Sequence, residues 1–123
     1  MSLFAYGFAA ILIVAGVYHF INPQLYFPFM PSWFPKSLAN AAGGAAEIVI
    51  GLAMLIPATR LYGLYAAAGL MVIFLPLHVI DLLRERPVIG TKGVAVARLL
   101  LQLVLIGWLF YEANAFRAGP QVQ

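Results

Sequence analysis

The chain has 123 residues and a mass of 13.4 kDa; 64% of it is hydrophobic, only 9% is charged, and its mean hydropathy is +0.98. Soluble domains run at roughly 45 to 50% apolar and about 25% charged residues, so an ordinary water-soluble domain is excluded and a bilayer is the expected solvent. The net charge of +3 comes from seven scattered basic residues, Lys36, Arg60, Arg84, Arg86, Lys92, Arg98 and Arg117. They form no patch that could track a phosphate backbone, so no nucleic-acid partner is expected.

At about 20 residues per crossing, the length allows four transmembrane helices with short connections and no sizeable extramembrane domain. The first apolar run, residues 3–21, holds no Asp, Glu, Lys or Arg. No basic residue precedes it, so it reads as a retained span rather than a signal peptide. The next segment carries Pro23, Pro28, Pro31 and Pro35 among Tyr26, Phe27, Phe29, Trp33 and Phe34. That mixture forbids a long helix and suits a rigid aromatic cap in the headgroup zone.

A second span is expected over residues 38–56, closed by Pro57, and the polar turn Ala58-Thr59-Arg60 is so short that the third span must run back beside it. The third span covers residues 61–80, interrupted late by Pro76, and Asp81 to Pro87 reads as a solvated, charge-dense connection. The fourth covers 94–111 and is followed by a polar tail with Glu112, Asn114 and Arg117. The expected fold is therefore an all-α, membrane-embedded antiparallel four-helix bundle forming a single domain. Its loop side, with Lys36, Arg84, Arg86 and Lys92 against Arg60 and Arg117 opposite, is placed in the cytoplasm by the positive-inside count.

The costly residues carry the functional information, because an ionisable side chain at the centre of a span costs roughly 2.5 to 3.5 kcal/mol on insertion scales. Glu47 lies about 13 Å into span two, and Gly43 and Gly51 share its face, which places the carboxyl in a tight seam. It is either a neutral acid or an anion balanced by Arg98, and with Arg98 it is either a pair that fixes helix register or a ligand or proton site. His19, His78, Asp81, Arg98 and Gln102 lean toward the same side, so the four helices are expected to line one polar pocket floored by Glu47. Tyr26, Phe27, Phe29, Trp33 and Phe34 would be its lid. His19, Glu47, His78 and Asp81 come from three helices without an intrahelical ligand pair, so no metal is expected.

The run Gly16-Val17-Tyr18-His19-Phe20-Ile21-Asn22-Pro23, then Met30-Pro31 and Pro35, Gly44-Ala45-Ala46-Glu47 with Gly51-Leu52, the Pro57-to-Arg60 turn, and Arg98-Leu99-Leu100-Leu101-Gln102 ahead of Trp108 together resemble the DoxX-like family of small four-helix membrane proteins. The pattern departs around Pro76, where His78 stands in place of the amide that such relatives carry. The resemblance implies a multi-pass protein of the bacterial inner membrane, linked to quinone or thiol redox chemistry. The absence of cysteine removes the thiol branch from this chain itself.

Two functions compete on these grounds. One is an accessory or anchor subunit of a quinone-linked membrane redox assembly, in a larger complex or a homo-oligomer. The other is an autonomous binder of, or proton-transfer enzyme on, a hydrophobic small molecule such as a quinone or isoprenoid in a pocket around Glu47, with a quinone or a lipid as the expected bound molecule.

Overall fold

The computed structural model describes residues 1–119, whose regular structure is all helical, without a strand. There are four long helices, α1 (Leu3–Ile21), α2 (Lys36–Leu55), α3 (Arg60–Leu83) and α4 (Lys92–Ala118); two 3-10 turns, Pro23–Leu25 and Phe27–Phe29, lie between α1 and α2, one, Pro57–Thr59, lies between α2 and α3, and residues 84–91 join α3 to α4 without a helical turn. Each helix is long and apolar enough to cross a membrane. α1 starts where the Ser2 hydroxyl accepts the Ala5 N–H, and α4 where Thr91 does the same for Val94, each satisfying a donor the first turn leaves free. Prolines keep the segment between α1 and α2 in short 3-10 turns.

Two elements run further than the sequence suggests. α3 passes through Pro76 and reaches Leu83; proline removes one hydrogen bond of the ladder, but the turn beyond it is anchored by Asp81, which is fully buried. α4 continues past Tyr111 to Ala118, because Glu112 and Ala113 are buried rather than part of a solvated tail.

α1 packs on α2, α2 on α3, and α3 on α4. The α1–α2 seam is the closest. Its buried positions are Ala5, Ala9, Leu12, Gly16 and His19 on α1, and Asn40, Gly44, Glu47, Gly51 and Met54 on α2. Both sets step alternately by four and three residues, the period that keeps one stripe facing a neighbouring helix. A Cβ at Gly16 would stand 2.6 Å from the Gly44 carbonyl oxygen and 2.7 Å from Ile48 Cγ1, and one at Gly51 would stand 2.9 Å from the Ala9 carbonyl oxygen. The backbones therefore touch where glycine removes the side chain. The close glycine beside Glu47 on its N-terminal side is Gly44 rather than Gly43, which is only half-buried. Ala9, Leu12, Met54, Leu64, Ala67, Met71 and Leu109 form the apolar core shared by all four helices.

Gly16→Ala is expected to destabilise the purified protein by about 1 to 3 kcal/mol through overpacking. Gly107→Ala, where an added Cβ meets nothing within 4 Å, should be neutral or slightly stabilising. Thermal unfolding of both variants in the same detergent checks the contrast; equal melting temperatures would show that the seam is not close-packed.

Candidate functional site

The polar residues do not share one chamber. They fall into two clusters toward the loop end of the helices, with His78 and Gln102 bonded into neither.

The first cluster closes the α1–α2 seam. His19 is in the last turn of α1 and Asn40 in the second turn of α2, and Glu47 lies seven residues beyond Asn40 on the same face. All three are buried. Asn40 Nδ2 donates to the His19 carbonyl oxygen at 2.8 Å, and Asn40 Oδ1 lies 2.6 Å from His19 Nδ1. Only the amide nitrogen can donate to a carbonyl, so the amide is fixed in one orientation and its oxygen faces the ring; Nδ1 must then carry hydrogen. On the other side of the ring, His19 Nε2 lies 2.7 Å from Glu47 Oε1, the distance of a charge-assisted bond. With Nδ1–H held by Asn40, the one mobile proton of the group belongs to the Nε2–Glu47 pair, an ion-pair contact that is all Oε1 has among the described residues. The pair is either imidazolium with carboxylate or imidazole with carboxylic acid.

Tyr26 covers this group. Its ring stacks on His19 with centroids 3.6 Å apart and planes at 11°, and its hydroxyl donates to the Ala15 carbonyl oxygen at 3.2 Å. Burial, with smaller contributions from Glu47 and Tyr18, pushes the Tyr26 phenol above its ordinary pKa, so it remains a neutral donor.

The second cluster centres on Asp81. Its carboxylate accepts the Val88 N–H at 2.7 Å, the Ile89 N–H at 3.3 Å and Arg98 Nη2 at 3.1 Å, with Arg84 Nη1 at 3.6 Å. Three hydrogen-bond donors and a second guanidinium thus surround a fully buried anion, the condition under which such a charge is tolerated. Two expectations are corrected here. Arg98 balances Asp81, while Glu47 is balanced by His19. Asp81 belongs to a buried helix turn rather than a solvated connection.

The segment between α1 and α2 ties the clusters together. Arg84 Nη1 donates to the Pro28 carbonyl oxygen at 2.6 Å and Nη2 to that of Phe29 at 3.4 Å. The Arg98 guanidinium lies over the Phe29 ring, 5.2 Å from its centroid, within cation–π range. Of the expected lid, Tyr26 and Phe29 therefore cover polar groups. Phe27 and Phe34 are half-buried, and Trp33, 77% exposed with its ring edge-on to Phe34, covers no polar group. His78 joins neither cluster by a hydrogen bond: its Nδ1 is buried and, like Arg98 Nε, meets no partner among the described residues. Gln102 Nε2 donates to the Met71 carbonyl oxygen at 3.0 Å and lies 3.3 Å from its sulfur, which makes it a tie between α3 and α4.

At the opposite end Arg60 is buried, donating through Nε to the Met54 carbonyl oxygen and through Nη2 to that of Leu55, both at 2.9 Å. It satisfies carbonyls left over at the end of α2, and its guanidinium lies near the Tyr6 and Phe116 rings. Glu112 accepts from Ser2 and ties α4 to the start of α1. Asn40, Arg60 and Glu112 were not singled out in the sequence. Asn40 could have been found, since an amide seven residues before Glu47 must share its face.

These features define an all-helical protein with four long apolar helices and two charge-compensated clusters at one end. The chain belongs to a family described as a domain of unknown function, DUF8561, whose model matches residues 8–112 and so spans both clusters. No curated protein and no solved structure matches the chain.

Replacing Asp81 by Leu leaves the half-buried Arg98 without its anion, and a loss of about 3 kcal/mol is expected. Combining Asp81→Leu with Arg98→Leu should recover part of that loss, because the arginine left behind, Arg84, keeps the Pro28 and Phe29 carbonyls as partners. A double-mutant cycle by thermal unfolding measures it; additive losses would show that the two residues are not coupled.

Proposed function

We propose that this is a multi-pass membrane protein, an antiparallel four-helix bundle, which binds a hydrophobic small molecule of quinone or isoprenoid type at the His19–Glu47 pair and exchanges a proton with it. The observation that carries this reading is the Asn40–His19–Glu47 chain. A buried ion pair is a poor source of stability, since apolar residues of the same volume usually serve as well or better. The glycine contacts already hold α1 against α2. A histidine held in one tautomer, with its second proton shared with a carboxylate, is the arrangement suited to general acid–base work.

Membrane embedding is supported by the outer surface. Leu3, Phe4, Ile11 and Val14 of α1 and Leu100, Leu101, Leu103 and Val104 of α4 are exposed, and apolar surface on this scale calls for lipid or a partner. Opposite helix directions are supported by the seam, where Ala9 meets Gly51 while His19, ten residues later, meets Asn40. The DoxX-like resemblance agrees with both points and with a bacterial inner-membrane location.

A second reading, an accessory or anchor subunit of a redox assembly, is favoured by α4. Only 17% of its most apolar stretch is buried, against 28% for each of the other helices, which leaves a broad face for another subunit.

Native mass spectrometry of protein released gently from its own membrane separates the two readings. Retention of one organic molecule by the native chain, and its loss from Glu47→Gln and His19→Gln variants that still fold, is the expected result. A heteromeric mass unchanged by either substitution would overturn the binding reading and move the function to the partners.

A further inference from the structure

Tyr26 has two neighbours of opposite character. One face of its ring lies on the His19 imidazole, and the ring also closes the end of an open groove of about 460 Å³ along the outside of α1, lined by Ala10, Ile11, Val14, Ala15 and Tyr18. A second groove, of about 440 Å³, runs between α1 and α4 past Phe4, Gly7, Phe8 and Trp108, and Ile11 lines both. Together they follow α1 from Leu3 to Tyr18, a length of about 22 Å at 1.5 Å per residue. The track is apolar along its length. At its loop end stand two phenols, and behind one of them the buried His19–Glu47 pair.

The segment that carries Tyr26 is held from outside α1 and α2. Arg84 grips the Pro28 and Phe29 carbonyls, Arg98 lies over Phe29, and both arginines are fixed by Asp81. The position of Tyr26 over His19 thus depends on charges on α3 and α4.

We infer that Tyr26 is a gate between the α1 track and the His19–Glu47 pair, held shut by the Asp81–Arg84–Arg98 latch, and that the track admits a single-chain amphiphile with a compact hydrogen-bonding head. The inference deepens the binding function proposed above and rests on it. The occupant's chemistry follows from the track: an apolar wall takes one long chain, and only a small polar head can reach a proton donor behind a single ring. Two-chain lipids meet the track as surrounding solvent. Swinging Tyr26 aside breaks its hydroxyl bond to Ala15 and its stacking on His19, and leaves the Pro23–Leu25 turn as the hinge.

The test is photolabelling of the full chain in lipid nanodiscs with a long-chain fatty alcohol bearing a diazirine in the chain near its head, followed by peptide mapping with α4 labelling as internal reference. Arg84→Gln and Tyr26→Ala should each raise labelling of the His19 and Glu47 peptides about tenfold over the native chain, the shift expected from losing one charge-assisted hydrogen bond or the gate itself. Tyr26→Phe, which keeps the stacked ring but loses the bond to Ala15, should fall between the native chain and Tyr26→Ala. Labelling spread evenly over α1 and α4 and indifferent to Arg84 and Tyr26 would overturn the gate. The binding function fails separately, if the molecule retained by the native protein is equally retained by Glu47→Gln.

Discussion

Contact between the α1 and α2 backbones is the constraint on which the polar chemistry of this protein depends. Where Gly16, Gly44 and Gly51 meet the opposite chain there is no room for side chains, and the polar residues at the end of that seam are packed into a space too narrow for bulk water. Inside it, electrostatic interactions are strong and an unpaired polar group is correspondingly costly. His19 therefore stands between its two partners, bonded to Asn40 on one side and ion-paired with Glu47 on the other. Closeness of the helices and the pairing of these side chains are two sides of one arrangement: widening the seam would let water compete for the pair, and removing a partner would leave a lone buried group.

The same rule organises the rest of the molecule. Arg60 does not seek a carboxylate; it uses the free carbonyls at the end of α2, whose partial negative charge a cation complements. Asp81 is enclosed by two backbone N–H groups and two arginines, and Glu112 reaches Ser2 at the start of the chain. Each buried charge is matched close to where it arises, so the outer surfaces of α1 and α4 can remain almost wholly apolar. A chain with so few charged residues can hold several of them inside only on that condition.

The helices were legible in the sequence because length and apolarity fix them, and Glu47 was legible because an acid amid apolar residues has to be accommodated. Which charges pair was not legible. Depth along a helix is a one-dimensional coordinate, and it set Arg98 and Glu47 at compatible levels; pairing also depends on which helices are neighbours. α1 packs on α2 and α3 on α4, so Glu47 met His19, and Arg98 met Asp81. Asn40 was overlooked because a neutral amide carries little insertion cost and so raises no alarm, although its effect on the His19 tautomer is decisive. The reach of α3 beyond Pro76 was hidden for a related reason: a local rule about proline was outweighed by a buried anion five residues further on.

The two ends of the molecule differ in what their charges hold. At the Arg60 end a cation closes a helix terminus and a carboxylate ties α4 to the start of α1, contacts that fasten one element to the next. At the loop end side chains also hold one another, and the segment covering them is fastened by arginines that belong to the other helix pair. A purely structural device needs only the first kind of contact. A mobile proton beneath a stacked ring, with the ring carried on a strap secured elsewhere, can be exposed without unfolding a helix. That separation of the covered group from its fastening makes the loop end, rather than the Arg60 end, the place where this protein can respond to something outside itself.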